Sequence, residues 1–394
     1  MSETAIACPN CDAGPLREFF EVPDVPVHSV LLIPTREEAL EFPRGDVRLG
    51  FCEACAFVAN TAFDGSRHDY SMRYEETQGF SGTFNAFADG LARRLVEEYG
   101  VRGKTVLEIG CGKGEFLMRM AQLGGNRCIG LDPALVPERI PEAHADKIEV
   151  VQEFFTENTG ELLADCICCR HTLEHIAPTR EFLSNLRRSI AGRDPLVFIE
   201  VPDTLRILEE GAFWDVYYEH CSYFTPGSLA RLMRSAGFEV LDLWLDFADQ
   251  YILLVARPAP GPTRAALPLE ADLERVRGLV RGFEALGPSK ISQWEHDVRT
   301  RLDGGGRVAL WGAGSKAVSF LTTLDVGPGI EAVVDINPFK QGRFMPGTGQ
   351  EVMAPSALAA NPPELVIAMN PIYTPEIQRE LDGMGLKSEL VALT

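Results

Sequence analysis

The chain has 394 residues, 45% of them hydrophobic, ten cysteines and a formal net charge of −20. That length exceeds one ordinary core and predicts two or three domains; no run approaches the roughly twenty apolar residues of a membrane span, and the opening MSETAIACPNC lacks the basic and apolar regions of a secretory leader, so a cytoplasmic location is expected. An acidic surface repels phosphate backbones and anionic headgroups, which excludes nucleic acid and membrane as expected partners and leaves a small molecule, with the chain a monomer or homodimer.

Residues 1–75 carry two CxxC pairs, Cys8 and Cys11 in CPNC and Cys52 and Cys55 in CEAC. Each pair can present two thiolates to one ion, and together they complete a tetrahedral shell with no open position. Structural Zn2+ holding together a small N-terminal domain is the expectation. An amphipathic stretch from Phe84 to Tyr99 follows, and then strands and helix-like segments alternate through TVLEIG, CIGLD, IEVVQ, DCICCRH and LVFIEV. Such alternation predicts an α/β domain with a doubly wound parallel sheet over 76–257, closed by a hairpin of EVLDLWLD and YILLVARP. A Pro- and Gly-rich linker at 258–268, a helical stretch near 269–303 and a second α/β unit beginning at RVALWG complete the chain to 394, the last part reading as a Rossmann-like domain.

Within the first α/β unit, Glu108 ends a strand and Gly110, Gly112 and Gly114 lead into a helix. Glycines let the backbone turn sharply against a ligand, and the helix start offers free N–H groups. Glu108 is placed for the cationic amino-acid end of a ligand, and Asp132, ending the next strand, for ribose hydroxyls. This acid-flanked glycine turn resembles the S-adenosyl-L-methionine (SAM) motif of class I methyltransferases. Gln152 and Glu153 would sit near the adenine edge, and Arg170 and His171 at the carboxyl edge of the sheet, where ligands of such folds bind.

The segment Phe213 to Pro226 gathers Tyr217, Tyr218, Glu219, His220 and Tyr223. Histidine suits proton transfer near neutrality, an adjacent carboxylate can orient it, and tyrosines can bond a developing enolate oxygen. His171 and His175, in HTLEHI, have the i, i+4 spacing of a metal pair on a helix start, but no third ligand is evident in the sequence. Gly312, Gly314 and Ala317, with Asp335 ending the next strand, form a second glycine turn, read as bordering the substrate cleft and placing Lys316 near an anionic group. Pro346 to Gly349 is read first as a turn and second as a substrate contact.

Taken together, the paired CxxC motifs, EIGCGKG, LEHI, YYEH and VVDINPFKQGRFMPGTGQEV resemble, nearly end to end, the zinc-containing sugar C-methyltransferases of deoxysugar biosynthesis. The resemblance implies methylation of a carbon beside a ketone on a nucleotide-linked hexose. His220 would remove the α-proton, Tyr217 and Glu219 would orient it or the substrate, and His175 and Tyr74 would line the pocket. The chain departs from the family's usual pattern at WGAGSKAV (Trp311 to Val318) and at YEETQGFSGTF (Tyr74 to Phe84). Competing expectations are O- or N-methylation by the same SAM domain, a nicotinamide oxidoreductase using the second glycine turn, and a non-catalytic zinc-stapled binding protein.

Overall fold

The computed structural model describes residues 6–68, 70–144, 146–261 and 264–394; residues 262 and 263 of the expected linker lie outside them. Near the N-terminus, β1 (Arg17–Pro26), β2 (Arg44–Phe51) and β3 (Val58–Asn60) pair antiparallel in sequence order. The central unit holds β4 (Thr105–Ile109), β5 (Arg127–Leu131), β6 (Ile148–Val151), β7 (Cys166–Arg170) and β8 (Leu196–Pro202). A two-residue strand, β9 (Ser222–Tyr223), precedes the expected hairpin of β10 (Phe238–Asp246) and β11 (Tyr251–Pro258). The seven-stranded sheet runs β10-β11-β8-β7-β4-β5-β6, with β11 reversed. The last unit is a five-stranded parallel sheet ordered β14-β13-β12-β15-β16, built from β12 (Val308–Trp311), β13 (Ala332–Val334), β14 (Val352–Met353), β15 (Leu365–Ala368) and β16 (Glu389–Ala392).

The order of each parallel sheet reverses beside its first strand, at β4 and at β12, and each of these strands ends in a glycine turn. Ligands bind outside the carboxyl ends of strands at such reversals, so topology places both turns where a cleft should open. The amphipathic stretch before β4 forms the helix Gly82–Glu97. Ser81 caps it by accepting from Phe84 N–H at 3.2 Å, and its buried face carries Phe84, Ala88, Leu91 and Leu95.

One feature departs from a contiguous division at residue 75. β9, only two residues beyond His220, pairs antiparallel with β3 through Val58–Tyr223 and Ala59–Ser222, so the N-terminal sheet reads β1-β2-β3-β9. The segment bearing the candidate catalytic residues therefore leads directly into an edge strand of the cysteine-bearing sheet.

The helix Leu273–Asp303 joins the outer units. Its Val276, Val280 and Phe283 are fully buried, and the Phe283 ring meets Phe19 and Phe20 edge-on at 6.0 and 5.0 Å. One apolar cluster consequently runs from the N-terminal sheet through residues 205–218 and this helix into the last unit. Phe283→Ala, which removes the ring at that junction, should cost about 3–5 kcal/mol of unfolding free energy. Urea denaturation measures it, and a loss below about 1 kcal/mol would show that the junction is not cooperatively packed. Among the described residues, no helix is long and apolar enough to cross a membrane.

Candidate active site

The four cysteines of the CxxC pairs come together across the N-terminal module. Cys8 and Cys55 sulfurs lie 3.7 Å apart and those of Cys11 and Cys52 3.6 Å, with all four within 4.8 Å of one another. Zn–S bonds of about 2.3 Å in a tetrahedron give S···S edges of roughly 3.8 Å, so the donor set and spacing fit that ion. Asn10 Nδ2 lies 3.8 Å from the Cys55 sulfur and also donates to the Ser228 carbonyl, tying the cluster to the central unit.

Between the central and last units opens a cavity of about 570 Å³, within the usual range for small-molecule sites. The first glycine turn forms one wall, with Gly110, Gly112 and Gly114 all at positive φ. Gly110, at φ +71°, faces the Thr172 hydroxyl so closely that a Cβ would collide with it. Asp132 Oδ2 accepts from Gly112 N–H at 2.8 Å and Oδ1 from Ala134 N–H at 2.7 Å. The carboxylate thus shapes the turn and, having further lone pairs, keeps acceptor capacity toward the cavity. Glu153 lies exposed on the rim, whereas Gln152, with its Nε2 donating to the Leu135 carbonyl, does not line the cavity.

Glu108 is buried at the end of β4 with Oε1 3.8 Å from Arg170 Nη1, and its Oε2 has no hydrogen-bond partner. Burial pushes its carboxyl up to about 7 although the Arg170 guanidinium opposes this. Arg170 stacks 4.0 Å over the Phe116 ring and donates from Nε to Glu200 at 2.6 Å. His171 takes an unusual φ of +48° and lies 3.0 Å from Glu200 and 3.5 Å from Glu174. Burial lowers its basicity, but the two carboxylates outweigh this and raise the imidazole to about 9.

His220 also lines the cavity. Its Nε2 lies 3.1 Å from the Tyr217 hydroxyl, and its ring centroid is 4.9 Å from that of His175. Burial, reinforced by His175, lowers His220 to about 3, so the free site holds a neutral imidazole. His175 Nδ1 bonds to the Glu219 carbonyl at 3.1 Å. The expectation that His171 and His175 share a helix face does not hold, because Leu173–His175 is a single 3-10 turn and the two rings face different partners. A different trio does converge, without His171: an oxygen of Glu174 and a ring nitrogen of each of His175 and His220 lie within 4.8 Å of one another.

Several expected residues are placed elsewhere. The Glu219 carboxylate turns away from His220 and accepts from both Ser29 N–H and Oγ, accepts from the Tyr74 hydroxyl at 2.9 Å, and lies 3.6 Å from His28 Nδ1. Burial alone would raise it, but His28 and His175 hold it well below the usual carboxylate range. Tyr218 does not line the cavity; its hydroxyl accepts from Asp64 N–H at 2.8 Å inside the N-terminal module. Tyr223 lies in β9, and its hydroxyl donates to the Tyr217 carbonyl at 3.3 Å. Both tyrosines brace the segment from behind. Tyr74, Tyr217, His175 and His220 do line the cavity.

The second glycine turn closes the far side, with Gly312 at φ +110° and Asp335 Oδ2 accepting from Ala313 N–H at 2.7 Å. Lys316 reaches the cavity with its charge engaged by Asp215 at 3.1 Å and Gln250 at 3.2 Å. The Pro346 to Gly349 turn packs instead on the N-terminal module, where Arg44 donates to the Gly347 carbonyl at 2.7 Å.

Residues 81–243 match the family model described as a methyltransferase domain, and residues 291–388 the C-methyltransferase C-terminal domain. The C-methyltransferase NovU of Streptomyces niveus is 30% identical over 298 residues, 72% of this chain and 70% of its own. A ubiquinone biosynthesis O-methyltransferase of Acinetobacter baylyi is 24% identical, covering 36% of this chain and 67% of that protein. Among solved structures, the 1,6-didemethyltoxoflavin-N1-methyltransferase of Burkholderia thailandensis is similar at 22% identity and a TM-score of 0.37, covering 44% of this chain and 78% of that one. Both glycine turns thus fall within methyltransferase family domains, the second in the one named for C-methylation, and the identity with NovU spans most of both chains: this chain belongs to the SAM-dependent C-methyltransferases.

Proposed function

We propose that the chain methylates a carbon beside a ketone, on a nucleotide-linked deoxysugar, with His220 as the base and Zn2+ on Cys8, Cys11, Cys52 and Cys55 as a structural ion. The observation that carries this reading is a buried histidine lining the same cavity as the acid-flanked glycine turn, with its Nε2 3.1 Å from the Tyr217 hydroxyl. A neutral imidazole keeps a lone pair for the α-proton, and the electron pair of the broken C–H bond becomes the enolate. Tyr217, beside His220, can donate to the oxyanion that develops. Glu108, Gly110, Gly112, Gly114, Asp132 and Glu153 would hold SAM, with Arg170 buttressing Glu108; SAM supplies an electrophilic methyl on its sulfonium. Screening ketone-bearing nucleotide sugars against labelled SAM tests the acceptor class. Transfer only to hydroxyl or amine acceptors would overturn it.

Glu108 makes the donor side testable without an acceptor. Its carboxyl, pushed up to about 7 by burial and faced by Arg170, Glu200, Asp132 and His171, is protonated below that pH and ionised above it. A cationic ligand favours the ionised form, so SAM affinity should rise about tenfold between pH 6 and pH 8. Calorimetry on Glu108→Gln should show weaker binding with that pH dependence gone; an unchanged profile would remove Glu108 from the donor site.

A further inference from the structure

A proton taken up by His220 leaves an imidazolium in a buried place, and a buried cation needs a partner. Three carboxylates, Glu174, Glu219 and Asp215, are near enough to favour that charge. Glu219 is committed to Ser29, Tyr74 and His28, all on the side of the N-terminal module. Asp215 is paired with Arg206 and Lys316. Glu174 alone of the three keeps a buried oxygen with no hydrogen-bond partner. It is 2% exposed, lines the cavity, and lies within 4.8 Å of ring nitrogens of both His175 and His220.

We infer that Glu174 is the positioning residue for the base, supplying the counter-charge when His220 takes the α-proton, with His171 holding its other oxygen. This rests on the reading of His220 as the base.

The arrangement suits that task in both protonation states. While His220 is neutral, His171 keeps Glu174 ionised: burial would raise its carboxyl, but the His171 imidazole against its Oε1, itself raised to about 9 and so protonated near neutrality, leads the contributions that lower it. The negative charge is therefore already in place before the reaction, and no reorganisation is needed when the proton arrives. His171, itself between Glu174 and Glu200, fixes the carboxylate from behind. Because Glu200 also receives Arg170, which faces Glu108, the same chain of charges extends toward the donor turn.

The test follows the proton separately from the methyl. A nucleoside-diphosphate-linked keto-deoxyhexose that the wild-type enzyme methylates is incubated in D2O with S-adenosylhomocysteine, and exchange at the α-carbon is read by NMR. In Glu174→Gln, exchange and methyl transfer should both fall on the order of a hundredfold, while SAM affinity and melting temperature stay near wild type. Glu174→Asp should recover part of the loss, and it carries the test should the Gln variant fail to fold. Wild-type exchange in Glu174→Gln would overturn the inference, as would retained exchange with methyl transfer alone reduced. Exchange that persists in His220→Asn would overturn the base assignment itself and this inference with it, a result distinguishable from failure at Glu174 alone.

Discussion

Replacing His220 by Asn is expected to lower methyl transfer by about 10²- to 10⁴-fold while leaving SAM binding intact. Asn keeps the size and some of the hydrogen-bonding capacity of the ring but has no lone pair basic enough for an α-proton. The position is buried, lines the cavity and lies 3.1 Å from the Tyr217 hydroxyl, so the change should act on the chemical step. Acid pH should mimic the variant only near the low value of about 3, since burial and His175 keep the ring neutral above it. Single-turnover methyl transfer with saturating SAM measures the effect. Near-normal turnover with unaltered SAM affinity would place the base elsewhere.

The second large effect is expected far from the chemistry. On the proposal that Cys8, Cys11, Cys52 and Cys55 hold Zn2+, Cys8→Ser or treatment with a chelator should unfold the N-terminal module and abolish activity together with it. The N-terminal strands close no core of their own but share one apolar cluster with the rest of the chain, and structural zinc contributes folding free energy directly, about 10–16 kcal/mol in small zinc modules. Loss should reach the active site because β9 is hydrogen-bonded to β3 two residues beyond His220, and because Ser29 and Tyr74 of the same module hold Glu219. Metal content by mass spectrometry, melting temperature and methyl transfer should fall in step. A Cys8→Ser protein that retains both one zinc per chain and full activity would contradict the account.

Legibility in the sequence tracked the range of the interactions involved. The first glycine turn was readable because strand, turn and helix are contiguous and three glycines at positive φ leave few alternatives. The paired CxxC motifs were readable as a four-thiol cluster because the spacing within each pair sets two sulfurs side by side, whatever the loop between them. Hairpin β10–β11 was readable from its two apolar runs. What escaped was set by distant partners. Nothing in residues 217–223 shows that Ser222 and Tyr223 pair with β3, a pairing that turns Tyr218 and Tyr223 into braces. The Glu219 carboxylate, adjacent to His220 in sequence, is drawn away by His28 and Ser29, from a module that sequence places far off. Glu174 lies between the two histidines of HTLEHI, whose helical spacing singles them out and not the acid; only the tight turn at 173–175 sets the acid beside His220.

The most direct measurement uses SAM carrying a 13C methyl group and a ketone acceptor, with the product examined by NMR. The account predicts a 13C methyl bonded to the carbon next to the carbonyl, and none formed by His220→Asn. A labelled methyl on oxygen or nitrogen, or an unchanged yield from that variant, would contradict it.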